Sequence, residues 1–250
     1  MQRIPPTDGA NGANGANGAS GASGTSAIGA AIDSIAAIDS NVAIRAALAE
    51  HRPRTVEDGP PPGSTAAVAL VLAGKPHLSL CVIRRAERAD DPWSGHLALP
   101  GGRASPADPT PRAVAERETR EEVGLALAGR HYLGALSQVT VRLGARAGNM
   151  SLYPFVYYLG ADLAPFLPSP EVATAFWVPL SYLWDPRNAT LVSWDRDGAR
   201  PTYPGIRWRD QAIWGLTLRV LTLFSDVLDA PLPHLEPMPS RRQTPEIIEK

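Results

Sequence analysis

The chain has 250 residues, 44% of them hydrophobic, and a formal net charge of −1, which allows one well-buried core but no global positive field for nucleic acid or an anionic membrane. Its single cysteine, Cys81, lies in the apolar run LSLCVI, so an intrachain disulfide is excluded and a reducing compartment is expected. No stretch reaches the roughly 18 apolar residues of a membrane span, and the start MQRIPPTDGANGANG carries no apolar leader segment; a cytoplasmic protein with no membrane or nucleic-acid partner is the expectation.

Residues 8–25 repeat GAN and GAS triplets, a composition with almost nothing to bury that behaves as a flexible tether. The segment DSNVAIRAALAEHRP offers Asp39, Ser40 or Asn41 as a helix cap, Ile44 and Leu48 four apart, and a proline stop. A domain over 39–230 is therefore expected, preceded by a low-complexity extension over 1–38 that activity does not need and followed by a loose proline-rich tail over 231–250.

Within the domain, TAAVALVLAG and HLSLCVIRR are apolar and β-branched, and the Gly-Lys-Pro link between them predicts an antiparallel hairpin. GHLALPGG reads as a further short strand entering a turn. Three more strand-like runs follow, YLGALSQVTVRL, SLYPFVYYLG and TAFWVPL, and then SWDRDGARPTYPGIRWRD, which reads as a polar loop. The last element, QAIWGLTLRVLTLFSDVL, keeps Ile213, Leu216, Val220, Leu223 and Phe224 on a helical face. Strands in the middle, helices at both ends and one inside imply an α/β sandwich.

The internal helix carries the chemistry. Prolines at 106, 109 and 111 can begin a helix but not interrupt one, so it spans about Thr110 to Val123 with Gly124 as its C-cap. At about 100° per residue Glu118, Glu121 and Glu122 share one face, where like charges repel and oppose the negative end of the helix dipole. A divalent cation resolves that cost, and oxygen-only ligands suit Mg²⁺ or Mn²⁺. Gly101 and Gly102 let the backbone come close just before the helix, so a Gly101 carbonyl can complete the coordination.

These residues resemble the Nudix hydrolases. The family's box runs Gly, five residues, Glu, seven residues, Arg-Glu, an aliphatic residue, any residue, Glu-Glu, any residue, Gly and an aliphatic residue. RETREEVGL matches its second half with Thr119 in the aliphatic position; in the first half Gly102 leads after five residues to Asp108, and eight residues separate that from Arg117. The longer spacing, with RRAERADDPWSGHLALPGG upstream, is similar to the coenzyme A pyrophosphatase branch, although His96 replaces the commoner Gln and Ser105 the usual acid. PSPEVATAFWVPL and YPGIRWRDQAIWGLTLRVL echo its closing segments.

The resemblance implies the Nudix fold, an α/β/α sandwich with a mixed central sheet. It further implies cation binding by Glu118 and Glu122, with Glu121 as a further ligand or the base and Arg117 as a brace between loop and helix. Glu171 is a second candidate base. Arg84 and Arg85 either hold substrate phosphate or form a surface pair, Ser94 and Gly95 belong to the upstream signature, and Tyr203 lines the pocket by analogy. Trp93 either stacks on a base or fills a turn; His51, His77 and His131 have no partner at ligand spacing. The implied substrate is a small nucleotide diphosphate derivative, coenzyme A or an acyl form first, cleaved to 3′,5′-ADP and 4′-phosphopantetheine. ADP-ribose, sugar nucleotides, nucleoside triphosphates and a non-catalytic nucleotide sensor are the alternatives, and a homodimer is left open as the only protein partner.

Overall fold

The computed structural model describes residues 38–54, 64–89, 93–142, 148–194 and 201–232. The chain divides into two units, Met1–Asp33 and Ser34–Lys250, and every described residue lies in the second. The GAN/GAS tether and the tail from residue 233 fall outside the described residues.

The backbone of the domain is β1 (Thr65–Ala73), buried at all but two positions. Continuous burial means that both faces of the strand are covered, and its alternation sorts side chains between two cores. Ala67, Ala69 and Val71 join Val114, Ala115 and Val123 of helix α2 (Pro111–Val123). Ala66, Leu70 and Leu72 face Ile44 and Leu48 of α1 (Asn41–Glu50) together with Leu218, Val220, Leu221 and Phe224 of α4 (Gly215–Val227). The result is helix, sheet, helix, with small residues on the α2 side of β1 letting that helix approach closely.

The main sheet is mixed. Along its path β3 (Leu97–Ala98), β2 (Ser79–Arg85), β1, β7 (Asn149–Tyr158) and β5 (Tyr132–Ala135) follow one another; β4 (Gly101–Arg103) also pairs with β1, β6 (Val139–Arg142) with β7, and β8 (Val172–Pro179) with β2. Among the described strands only β1 and β7 run parallel, from Thr65 opposite Ser151 to Leu72 opposite Tyr158; the β1–β2 hairpin is antiparallel, as the Gly-Lys-Pro link predicts. A short helix, α3 (Leu180–Leu183), follows β8. A second antiparallel sheet, β9 (Ala189–Ser193), β10 (Thr202–Trp208) and β11 (Gln211–Trp214), leads into α4.

That second sheet corrects the expectation of a polar loop, and the start of the last helix moves with it. Gln211–Trp214 is a strand, so Ile213 reaches the core from β11, and the helix begins at Gly215, whose φ of 60° interrupts the apolar run. Gly101–Arg103 likewise forms a strand of its own after Leu97–Ala98. In the N-terminal helix Ser40 is the cap, its Oγ accepting from the Ala43 amide at 3.3 Å.

Ile38, one residue before the domain start expected from the sequence, is fully buried among the residues packed around α1 and α4. Asp39 follows it and accepts from the Leu78 amide. A chain beginning at Ser34 is therefore expected to keep the thermal midpoint of the full chain, whereas Ile38→Ala is expected to cost about 2–5 kcal/mol, the usual penalty for truncating a buried aliphatic side chain. Equal melting of Ile38→Ala and the parent in a denaturant titration would place the edge of the core after residue 38.

Candidate active site

Helix α2 is fixed at both ends. Thr110 caps it, its Oγ1 accepting from the Ala113 amide at 3.1 Å, Pro111 opens it, and Gly124 closes it in the left-handed region at φ 75°. Thr119, in the place where the motif has an aliphatic residue, is fully buried, and its hydroxyl donates back to the Ala115 carbonyl at 2.7 Å, which satisfies it. The inward face holds the helix on β1, and the adjacent face brings Glu118 and Glu122 to a cavity of about 630 Å³. Glu121 is turned to the rim: its side chain is 52% exposed, and it accepts from Arg117 Nη1 at 2.9 Å.

Glu122 is buried, and the Gly101 amide donates to its Oε2 at 2.9 Å. Burial raises its pKa to about 7, opposed by that amide and reinforced by the charges of Glu118 and Glu171. Burial also raises the pKa of Glu118, against the pull of Arg117. The two glycines have separate reasons to lack a side chain. A Cβ on Gly101, at φ 155°, would stand 2.3 Å from the Ala67 carbonyl oxygen, and one on Gly102 would stand 2.4 Å from Glu118 Oε1.

Arg117 joins the parts. Its Nε and Nη2 donate to the two oxygens of Asp108, each at 2.9 Å, and Nη2 also donates to the Arg103 carbonyl at 3.3 Å. Its Nη1 lies 2.9 Å from both Glu118 Oε1 and Glu121 Oε2. The bidentate bond to the guanidinium holds the Asp108 carboxyl well below the usual carboxylate range, and the Ser105 amide donates to the same group at 2.8 Å. Asp108, which sequence reasoning treated only as a departure from the motif, is thus the residue that anchors Arg117. Its signal was the five-residue step from Gly102.

Arg85, Arg88 and Glu171 also line the cavity. The paired arginines of β2 separate: Arg85 lines the cavity, while Arg84 is directed to Glu87, 3.4 Å away. Ser94 Oγ accepts from the Arg88 amide at 2.6 Å, on the local backbone, and the Gly95 carbonyl accepts from the side chain of the distant Gln211, Nε2 at 2.9 Å. Trp93, His96 and Trp214 line it as well. They pack with Trp194 and Tyr203: His96 lies 4.9 Å from Trp194 and 5.2 Å from Trp214, and Tyr203 meets Trp214 at 5.6 Å. Neither this ring cluster nor Arg88 is legible as a unit in the sequence. Val68, Leu99, Met150, Leu152 and Val220 add apolar lining. Among the described residues no three His, Cys, Asp or Glu side chains are gathered into a finished metal cluster.

The NUDIX domain model matches residues 62–198. An uncharacterised protein of Schizosaccharomyces pombe is 34% identical over 183 residues, 63% of this chain and 54% of that protein. The mitochondrial coenzyme A diphosphatase NUDT8 of Homo sapiens is 34% identical over 150 residues, 59% of this chain and 61% of that protein. The matches thus span less than two thirds of the length of these two curated relatives. Among solved structures, a MutT/nudix family protein from Enterococcus faecalis superposes with a TM-score of 0.47 at 15% identity, covering 80% of this chain and 74% of that one.

The Asp108–Arg117 bond has a consequence for acid stability. A carboxyl whose folded pKa is depressed contributes stability that is present above its unfolded value of about 4 and is lost as pH falls below it. Asp108→Asn is therefore expected to melt below the parent at pH 7, with the gap closing progressively below about pH 4. A gap independent of pH between 7 and 3 in thermal denaturation would remove the charge from the explanation.

Proposed function

The chain belongs to the Nudix family, and from that premise we propose that it is a divalent-cation-dependent pyrophosphohydrolase that cleaves coenzyme A or an acyl-coenzyme A to 3′,5′-ADP and the (acyl-)4′-phosphopantetheine. The observation that carries the reading is the presence of both signs of charge in one cavity, whose lining includes Glu118, Glu122, Arg85 and Arg88. A diphosphate with a bound cation has the complementary arrangement. The choice of coenzyme A is supported by the similarity to the human diphosphatase and by the motif upstream of the glycines. A cytoplasmic setting belongs to the same proposal, although the human relative is mitochondrial by name; no helix among the described residues is long and apolar enough to cross a membrane.

The donor set fits Mg²⁺ or Mn²⁺. Glu122 is a buried carboxylate whose ionised form is disfavoured by burial and by two neighbouring acids, a cost that a hard cation would reverse. Glu118 and Glu122 would hold the ion, with the Gly101 carbonyl beside them and Glu121 at the rim as a further ligand or base. When bound, the ion neutralises the diphosphate and acidifies a water. The chain's own residues do the rest: the Gly101 amide fixes the Glu122 carboxylate, Arg117 holds Glu118 and Glu121, Arg85 meets phosphate oxygens, and Glu171 takes a proton from the attacking water. Trp93 and Trp214 present flat faces to a nucleobase.

A panel of coenzyme A, ADP-ribose, sugar nucleotides and nucleoside triphosphates, with Mg²⁺ or Mn²⁺ and with product identification, tests the reading. Coenzyme A is expected to be cleaved fastest, to the two products named above, and chelation to abolish turnover until metal is restored. Glu122→Gln is expected to lower kcat/KM by at least about 100-fold with the fold retained, because losing a group that merely orients a metal ligand already costs roughly 10–100-fold. Cleavage of triphosphates alone would move the substrate to another Nudix class, and tight nucleotide binding without hydrolysis would favour a sensor.

A further inference from the structure

Arg88 and Glu171 both line the cavity that also holds Glu118 and Glu122, with Arg88 Nη2 3.0 Å from Glu171 Oε1. Both side chains are more than half exposed, 53% and 60%, and an ion pair of that kind is weak, because water screens it and both side chains give up freedom to form it. It opens easily. The backbones that carry it are held firmly: Ser94 Oγ receives the Arg88 amide, the Ala86 amide donates to the Glu171 carbonyl at 2.8 Å, and the Ser169 amide donates to the Glu122 carbonyl at 2.9 Å. Glu171 is therefore tethered to the chain just beyond β2, and Ser169, two residues before it, to the end of α2, so side-chain rotation is enough to separate the pair.

We propose that Arg88 is a substrate-responsive counter-ion: it covers Glu171 until a diphosphate enters, and the diphosphate then takes over the guanidinium and frees the Glu171 carboxylate to act as base. The inference rests on the reading of this site as a diphosphate hydrolase. A diphosphate carries more charge than one carboxylate and offers a guanidinium bidentate bonds of equal geometry, so the exchange runs toward the substrate. In the step that follows, the water oxygen bonds to one phosphorus and its proton passes to Glu171. The bridging P–O bond breaks, and its electron pair leaves with the departing phosphate. Arg88 thus counters the charge of Glu171 locally before substrate arrives, and binds that substrate once it has.

The two partners are expected to shift KM in opposite directions. With the substrate that the panel identifies, Arg88→Gln is expected to raise KM roughly 10- to 100-fold, the loss of one charged hydrogen bond, and Arg88→Lys to fall between it and the parent. Glu171→Gln is expected to lower KM several-fold, because Arg88 no longer has to leave a carboxylate, while kcat falls by about 10²–10⁴, the usual share of a general base. Simple relief of repulsion would also lower KM, and the double variant separates the two causes: in the Arg88→Gln background, Glu171→Gln is expected to lose most of its effect on KM. Calorimetric binding of inorganic pyrophosphate by the parent and the same four variants is expected to follow the same order, and it reads the exchange even if none of the panel substrates is cleaved. Equal gains in KM or pyrophosphate affinity from Glu171→Gln with and without Arg88, or an Arg88→Gln protein that binds as the parent does, would overturn the exchange while leaving the hydrolase reading intact.

Discussion

The guanidinium of Arg117 is the interaction on which the acidic helix depends. Three glutamates in the last turns of a helix repel one another and face the negative end of its dipole. Arg117 reaches two of them with one nitrogen and spends its other two on Asp108, with the Arg103 carbonyl as a further acceptor. A lysine has no such fork: its three donors diverge from one point and cannot grip a carboxylate side-on while touching two others. The loop between β4 and α2 is thereby fastened to the helix at Asp108, and Glu118 is held at the cavity wall. Glu122 is left out of this network. Its partner is a backbone amide, which positions the carboxylate without cancelling its charge, and the contrast separates the acids that are braced from the one whose charge stays available.

Strand β1 explains why the glycines and the glutamates must be where they are. Its small side chains Ala67 and Ala69 let α2 lie close to the sheet, and the β4 backbone runs antiparallel beside it with Val68 opposite Gly101 and Ala67 opposite Gly102. At that distance a side chain on Gly101 would meet the β1 backbone itself, whereas one on Gly102 would meet only the end of Glu118. Backbone cannot yield as a flexible carboxylate can. Packing therefore dictates the first glycine and the site chemistry dictates the second, although the sequence presents them as a uniform pair.

Helix α2 was legible because its signals are local: the Thr-Pro start, the apolar face and the glycine stop lie within fifteen residues of one another. The helical wheel also put the three acids on one side, but it has no knowledge of where the cavity lies. Residues four apart, Glu118 and Glu122, share the cavity wall, and Glu121, about 100° from Glu122, falls at its rim. Strand β10 was missed because TYPGIRW contains proline and glycine, which read as loop. Pro204 is tolerated there because β11 pairs only from Gly205 onward, so at Pro204 the strand has β9 alone beside it and no amide is demanded on the other edge. The ring cluster had no local signal at all, since Trp93, His96, Trp194, Tyr203 and Trp214 come from well-separated segments that only the second sheet brings together.

The same burial that makes Glu122 costly makes it useful. In water a carboxylate binds a single divalent ion weakly, because solvent screens the attraction and competes for the ion. Here the acid wall adjoins apolar surface from Val68, Leu99 and Leu152, which lowers the local dielectric and strengthens every charge interaction within it. Two outcomes follow for an acid held in such a place: it takes up a proton near neutrality, or it takes a cation in the proton's stead. The net charge of the chain is close to zero, so nothing in the long-range field selects between them. Where the proposed cation binds, the selection is local: a second acid four residues away would favour the divalent ion over the single proton, and the Gly101 amide, which has a hydrogen to give, favours the ionised carboxylate over the protonated one.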